Sequence, residues 1–384
     1  MVTGKRRTRS CPTEGEGIVA EQWQEPAPPA PLPFISVIVP VRNESAFIRN
    51  TLNQLLAQKY DRDRYEILVA DGGSTDGTPG IVRDLASRHE NLHLLTNRKK
   101  WSSAGRNVAI ERARGDILVI VDGHCEINNR NYLQELASAF ARSGAECVGR
   151  PQPLKVQGAT TLQKAIATAR SSPLGHHPQS YIYSAVERYV EPQSVAVAYR
   201  REVFEKIGLF DESFDACEDV ELNHRIARAG MRCFFTPSVA VRYHPRSTLK
   251  GLFLQMARYG RGRVRLLRKH PETFTLTGFV PAVFVLGLGA GPLLAALSAA
   301  WGALYAAAVL VYLLIIGAES GRLALRERSF ALWPWIAVTF VAIHTGAGCG
   351  IIQELVRRRD ERQKWQGEEL WPHKDGKRRE EALV

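Results

Sequence analysis

The sequence predicts an α/β domain, a mostly parallel sheet flanked by helices, followed by C-terminal transmembrane helices. Three observations carry this expectation. Short strands rich in β-branched residues alternate with amphipathic helical stretches between Phe34 and Val121. A polar, acid-bearing turn follows three of those strands. Two long runs without a charge occupy much of the last third of the 384 residues.

Residues 1–33 are polar and then proline-rich, with five prolines from Pro26 to Pro33, and read as a disordered tail. The globular part, 34–245, opens on Phe34–Val41, a run suited to a parallel strand buried on both faces. Glu44–Lys59 follows with Phe47, Ile48, Leu52, Leu55 and Leu56 at helical spacing. Tyr65–Ala70 reads as strand, Thr78–Arg88 as helix, Leu92–Thr96 as strand, Ser102–Arg114 as helix and Asp116–Val121 as strand. That tempo belongs to a parallel sheet, in which ligands bind beyond the carboxyl ends of the strands.

Charge and hydropathy divide the remainder. Arg242 to Pro271 holds nine Lys/Arg and no acid, and residues 246–272 read as a basic juxtamembrane helix lying along a membrane surface. Thr273–Ala318 is 46 residues without a charge and Phe330–Gln353 is 24. A span needs roughly 20 apolar residues, so the first run is long enough for two and the second for one. By the positive-inside rule the domain lies on the cytoplasmic side of the inner membrane. Arginines in the loop Glu319–Arg328 and in the tail 354–384 both favour the cytoplasm, so within 273–353 the last segment reads either as a third span or as re-entrant. Six well-separated cysteines without a C-x-x-C pair indicate neither a disulfide framework nor a structural zinc site. Lys5, Arg6, Arg7 and Arg9 lack the apolar stretch of a signal peptide. No nucleic-acid-binding motif accompanies the net charge of +12.

The strand ends carry the chemistry. Pro40-Val41-Arg42-Asn43-Glu44 follows the first strand, Asp71-Gly72-Gly73-Ser74-Thr75-Asp76-Gly77-Thr78 the second, and Asp122-Gly123-His124 the fourth. One such turn is an ordinary cap. Three at matching places suggest a ligand edge. Asp122 and His124, two residues apart on extended chain, offer oxygen and nitrogen ligands to a divalent cation, Mn2+ or Mg2+. Asp71 is placed to accept from a base or ribose, and Arg106 to cap a diphosphate or orient the acidic turn.

These pieces, with Gly105-Arg106-Asn107 and Arg114-Gly115-Asp116, resemble the inverting family 2 glycosyltransferases, whose GT-A fold binds a nucleotide sugar. Cys217-Glu218-Asp219-Val220-Glu221-Leu222-Asn223 is similar to the family's acidic acceptor motif. The membrane half and Tyr259-Gly260-Arg261-Gly262-Arg263 resemble the succinoglycan-biosynthesis glucosyltransferase branch. The resemblance implies a nucleotide-sugar site at Pro40, Arg42, Glu44, Asp71, Gly73, Ser74, Arg106 and Asp122. It places the catalytic base at Asp219, with Glu218 beside it. Where the family carries Asp-x-Asp this chain has Asp122-Gly123-His124, and where processive synthases carry Gln-x-x-Arg-Trp it has Gln255-Met256-Ala257-Arg258-Tyr259.

Asp219 would open the amphipathic helix Asp219–Ala229, where the helix dipole favours its ionised form. Gln255, Arg258, Tyr259, Arg261 and Arg263 are candidates for the donor diphosphate or the phosphates of a polyprenyl carrier; the arginines alternatively serve only the positive-inside pattern. His244, just before Pro245, is a third metal-ligand candidate or a packing residue. The expected partners are a nucleotide diphosphate sugar, a lipid-linked saccharide or polyprenyl acceptor, and the membrane, with no nucleic acid. Two further readings stand beside sugar transfer to a lipid-linked saccharide or growing polysaccharide. One is loading of a single sugar onto a polyprenyl phosphate; the other is an inactive membrane scaffold on a GT-A shell.

Overall fold

Buried β-branched runs form the centre of the molecule. Residues Ile35, Val37, Ile38 and Val39 are completely inaccessible, as a strand covered on both faces requires. The computed structural model describes residues 32–176 and 181–357, and from Pro33 onward the described residues belong to one unit. The expected tail 1–33 and the charged tail 354–384 lie almost wholly outside the described residues.

Chain order is β1 (Ile35–Val41), α1 (Ile48–Leu56), β2 (Tyr65–Asp71), α2 (Thr78–Ala86), β3 (Leu92–Thr96), α3 (Ser102–Arg112), β4 (Ile117–Ile120), β5 (Cys125–Glu126), α4 (Tyr132–Ser143), β6 (Cys147–Gly149) and α5 (Thr161–Arg170). Then come β7 (Arg188–Val190), β8 (Ala196–Arg200), α6 (Arg201–Ile207), α7 (Glu218–Arg228), β9 (Cys233–Phe235), β10 (Arg242–Tyr243), α8 (Leu249–Lys269), α9 (Leu276–Leu297), α10 (Ala299–Arg326) and α11 (Trp333–Val356). An eight-stranded sheet runs β3-β2-β1-β4-β8-β6-β9-β7, while β5 and β10 pair separately. Strands β1 to β4 pair in parallel; β8 joins β4 and β6 antiparallel.

Alternation along the strands splits the core by face. Val37 and Val39 look toward α1, α2 and α4; Ile38 and Leu68 look toward α3, α6 and α7. The first helix starts at Ile48, later than the apolar spacing from Glu44 suggests. Residues 43–45 are instead held by the turn after β2: Asn43 N–H donates to Ser74 Oγ (2.8 Å), Glu44 N–H to Thr78 Oγ1 (2.9 Å) and Ser45 N–H to Asp76 Oδ2 (2.9 Å).

Three helices are long and apolar enough to cross a membrane, within Leu276–Leu297, Ala299–Arg326 and Phe330–Val356. α10 continues through most of the stretch expected as the loop Glu319–Arg328. The uninterrupted polar stretch there is too short to force a helix to stop. α11 is one unbroken helix, with 44% of its apolar window buried inside the protein.

That burial comes largely from α8. A Cβ on Gly350 would lie 2.0 Å from Ala257 O, and one on Gly260 would lie 2.3 Å from Ala347 O. Small residues on both helices thus let the two backbones touch. Gly346 and Gly350 of α11 face α8, while Gly348 faces Pro281 of α9. The basic helix thus packs on α11 along one side, with Arg261 turned inward and Tyr259 and Arg263 left exposed.

Candidate active site

The carboxyl ends of β1, β2 and β4 hold the three acid-bearing turns together. Asp71 organises its own turn, accepting from Gly73 N–H (3.1 Å), Ser74 N–H (3.2 Å) and Ser74 Oγ (2.5 Å). Asn43, in the left-handed region at φ 57°, turns its Oδ1 to Thr75 N–H (2.8 Å). The loop after β1 also reaches the turn after β4, because Glu44 Oε1 lies 2.9 Å from His124 Nδ1. Gly123 permits that approach: a Cβ there would lie 2.8 Å from Val41 Cγ1. Pro40 stands between these turns, 3.5 Å from where a Cβ on Gly105 would lie, so the start of α3 closes on the strand ends. Arg42 is half-buried, and its Nε has no hydrogen-bond partner.

Arg106, from α3, links this edge to α7. Its Nη1 lies 3.0 Å from Glu218 Oε1 and its Nη2 3.8 Å from Asp122 Oδ1, while its guanidinium stacks over Phe210 at 5.1 Å. Tyr243 OH donates to Asp122 Oδ2 (3.0 Å). Burial raises the Asp122 pKa, but Arg106, His124 and the Tyr243 hydrogen bond outweigh it and hold the carboxyl below its ordinary value. Burial pushes the Glu218 carboxyl up; Arg106 offsets this only in part, and the Asp219 charge adds to it. Asp219 itself is exposed, with Oδ1 accepting from Val220 N–H (2.9 Å). Two adjacent acids thus have different surroundings, one buried against an arginine and one facing solvent.

Burial lowers the His124 pKa, but the Glu44 hydrogen bond and charge, with Asp122 behind them, prevail, and the imidazole titrates above 6.5. A raised folded-state value means the Glu44–His124 pair stabilises fully below the unfolded value. That contribution is lost as pH rises through the folded one. Without divalent cations, the melting-temperature gap between wild type and Glu44→Gln should shrink from about pH 6 to about pH 9. A gap that stays constant over that range would remove the pairing.

The basic helix α8 divides its predicted phosphate residues by face. Arg258 donates through Nη2 to Asp215 O (2.7 Å), and Arg265 pairs with Asp215, so this face grips the turn leading into α7. Gly262 sits against the same turn, where a Cβ would meet Ala216 O at 2.7 Å. Gln255 Nε2 donates to Tyr259 OH (3.2 Å), and Tyr259 and Arg263 are exposed. Arg261, expected beside Arg258 and Arg263, is 7% exposed and donates to Gln353 on α11 (3.0 Å). Helical periodicity separates them, since residues 258, 262 and 265 share one face and 257, 261 and 264 another.

His244 does not join Asp122 and His124. Its ring packs on Phe47 at 4.7 Å, and these three residues do not gather their ligand atoms within 4.8 Å of one another. Nor does Arg114-Gly115-Asp116 reach the site. Arg114 binds Glu66 (3.0 Å) and Asp116 accepts from Phe34 N–H (2.9 Å), both at the opposite edge of the sheet. A cavity at that edge, lined by Phe34, Arg62, Glu66 and Arg114 among others, includes none of the turn residues.

Several participants carry no signal in the sequence. Tyr243 and Phe210 touch Asp122 and Arg106 from more than 100 positions away, and Asp215 fastens α8. Arg150 is 1% exposed and donates to Ile120 O (2.9 Å), directly behind the Asp122 turn. Only the run of acids from Asp211 to Glu221 hints that this turn is more than a linker.

A mostly parallel sheet with acid turns at its carboxyl edge, an arginine joining two of its carboxylates, and apolar helices on one flank defines a glycosyltransferase of GT-A architecture. The model of "Glycosyl transferase family 2" matches residues 36–208, and that of "Glycosyl transferase family group 2" matches 127–343. The succinoglycan biosynthesis protein ExoA of Rhizobium meliloti (strain 1021) is 32% identical over 332 residues, covering 84% of this chain and 96% of that protein. A Methanococcus voltae dolichyl N-acetyl-alpha-D-glucosaminyl phosphate 3-beta-D-2,3-diacetamido-2,3-dideoxy-beta-D-glucuronosyltransferase is 28% identical over 245 residues, covering 62% of this chain and 74% of that one. Among solved structures, the mannosyltransferase PcManGT of Pyrobaculum calidifontis, in complex with GDP-Man and Mn2+, has a TM-score of 0.52 at 23% identity, over 85% of this chain and 88% of that one. The chain belongs to glycosyl transferase family 2.

Proposed function

We propose that this glycosyltransferase moves a sugar, with inversion, from a nucleotide diphosphate sugar to a lipid-linked saccharide or growing polysaccharide at the cytoplasmic face of the inner membrane. One observation carries the reading. α7, which begins with Glu218 and Asp219, is joined by Arg106 to the Asp122 turn and by Asp215 to α8, which in turn packs on the apolar helix α11. Donor edge, acid pair and membrane-directed helices are thus one connected body. An acceptor displayed at a bilayer would meet the acid pair there. Similarity to a protein that acts on a dolichyl sugar phosphate, and to one of succinoglycan biosynthesis, supports the acceptor class.

The nucleotide has its expected neighbours in Pro40, Arg42, Asp71, Gly73 and Ser74. Asp71 is engaged by its own turn, so its contribution is to hold the backbone that faces the base and ribose. The residues present fit a divalent cation: Asp122 is ionised, and the Glu44 bond to Nδ1 of His124 leaves Nε2 as ligand atom. Such an ion would neutralise charge on the departing diphosphate. Asp219, exposed and unburdened by Arg106, takes the proton of the acceptor hydroxyl as its oxygen attacks the anomeric carbon. Glu218 and Arg106 hold the start of α7 against the donor edge, so that Asp219 keeps its reach.

Removal of the ion is the first test. Asp122→Ala should weaken nucleotide binding in the presence of Mn2+ by about tenfold or more, while wild type treated with EDTA falls to the same level. Binding indifferent to EDTA would end the cation assignment. For the acceptor, membranes are incubated with a panel of labelled nucleotide sugars, with either a polyprenyl phosphate or a polyprenyl-linked saccharide, and chloroform-extractable product is scored. Label appearing only with the saccharide supports the proposal. Label on the bare phosphate would replace it with carrier loading, and none in either arm would leave the inactive scaffold.

A further inference from the structure

On the far side of α7 from Asp219, two buried histidines meet one carboxylate. His224, on α7, is 5% exposed, and His270, just after α8, is 8% exposed. Glu272 Oε1 lies 2.9 Å from His224 Nε2 and 3.7 Å from His270 Nδ1, and the two rings are 4.6 Å apart. Among the described residues this is the one group of three whose ligand atoms all lie within 4.8 Å. We propose that His224, His270 and Glu272 form a second metal site, for Zn2+, separate from the nucleotide-sugar edge.

The separations suit the ion. Zinc bonds of about 2.0–2.1 Å in a tetrahedron put neighbouring ligand atoms about 3.3 Å apart, close to the two distances to Glu272. Two histidines and a carboxylate are also a borderline-soft donor set, matched to Zn2+ rather than to Mg2+ or Ca2+. Each ring has its other nitrogen already held. His270 Nε2 lies 3.1 Å from Glu221 Oε1, and Glu221 is fully buried with Arg225 and Lys269 on it. His224 Nδ1 lies 2.6 Å from the side-chain amide of Gln193. Turned over, that amide presents its oxygen to the Nδ1 proton, so both rings would have the outer hydrogen bonds that fix metal-binding imidazoles. Glu272 also receives Arg228 (3.0 Å); its second oxygen leaves room for both partners. Half-exposed Glu272 gives the ion a way in.

Such an ion would fasten the middle of α7, between one and two turns beyond Asp219, to the junction between α8 and the first apolar helix α9. It would fix the catalytic helix relative to the helices that face the bilayer. The fastening is positional, since none of the three residues touches the donor edge.

The test uses the full chain in detergent, without a histidine tag, stripped of metal and then given excess Mg2+ to fill the hard-cation site. Zn2+ is titrated by calorimetry, and Co2+ by its visible absorption. One Zn2+ per chain is expected, with the absorption of four-coordinate Co2+. Glu272→Ala, at a half-exposed position, should fold normally and lose at least tenfold in Zn2+ affinity. Asp122→Ala should bind that ion as wild type does. Zn2+ should also raise the melting temperature of wild type and not that of Glu272→Ala. The proposal is overturned if wild type shows no saturable Zn2+ binding under excess Mg2+, or if Glu272→Ala binds as tightly as wild type. It is equally overturned if Asp122→Ala, and not Glu272→Ala, abolishes the binding.

Discussion

Asp219→Asn should lower the turnover of sugar transfer by about two to four orders of magnitude and leave the affinity for the nucleotide sugar nearly unchanged. The amide keeps the size of the side chain and its place at the start of α7, but it takes no proton. Asp219 is exposed and accepts only a backbone N–H from its neighbour, so the substitution removes no buried partner and stability stays near wild type. Steady-state kinetics with labelled donor, together with a binding isotherm for the nucleotide diphosphate, separate the two effects. Near-normal turnover in this variant eliminates Asp219 as the base, and Glu218→Gln then becomes the informative substitution.

Arg106→Ala is expected to damage stability and activity together. The guanidinium is almost fully buried between Glu218 and Asp122, and its removal leaves two carboxylates facing a low-dielectric gap. Breaking a buried pair from one side costs about 3–5 kcal/mol, enough to lower the melting temperature by several degrees in a chain of this size. The pH dependence identifies the cause. Glu218 already titrates above its ordinary value through burial, and without Arg106 it is pushed higher still. Protonation relieves the uncompensated charge, so the deficit relative to wild type should narrow as pH falls and widen as it rises. A deficit independent of pH would point to lost packing on Phe210 instead. Arg106→Lys keeps a charge but not the fork that reaches both carboxylates, and should recover only part of the loss.

Much of the donor edge can be read from the chain directly. The first four strands follow from β-branched runs bounded by polar turns, and a parallel sheet puts the acid turns on one edge; that β1 lies between β2 and β4, which makes those turns neighbours, is decided by the fold. The resemblance puts Glu44 in the nucleotide site with Arg42 and Asp71, and its bond to His124, which ties the turn after β1 to the turn after β4, has no local signal. Arg261 and Arg263 are two residues apart on a helix and therefore face different surroundings, one against α11 and the other solvent. His244 shows the limit of spacing arguments, since its place beside the second strand pair sets it on Phe47 and not in a metal ligand set.

The alternation of strands and helices, the acid turns that close the strands and the apolar lengths near the C-terminus are legible in the chain alone. Each is written within a few consecutive residues, as periodicity or as an unbroken absence of charge. Packing in three dimensions, in contrast, set α8 on α11, joined Asp122 to Glu218 through Arg106, and brought His224 to His270 and Glu272. Those contacts link residues distant in the chain, 48 positions apart for His224 and Glu272. No local pattern encodes them, because the face a helix turns inward is chosen by the partner that covers it.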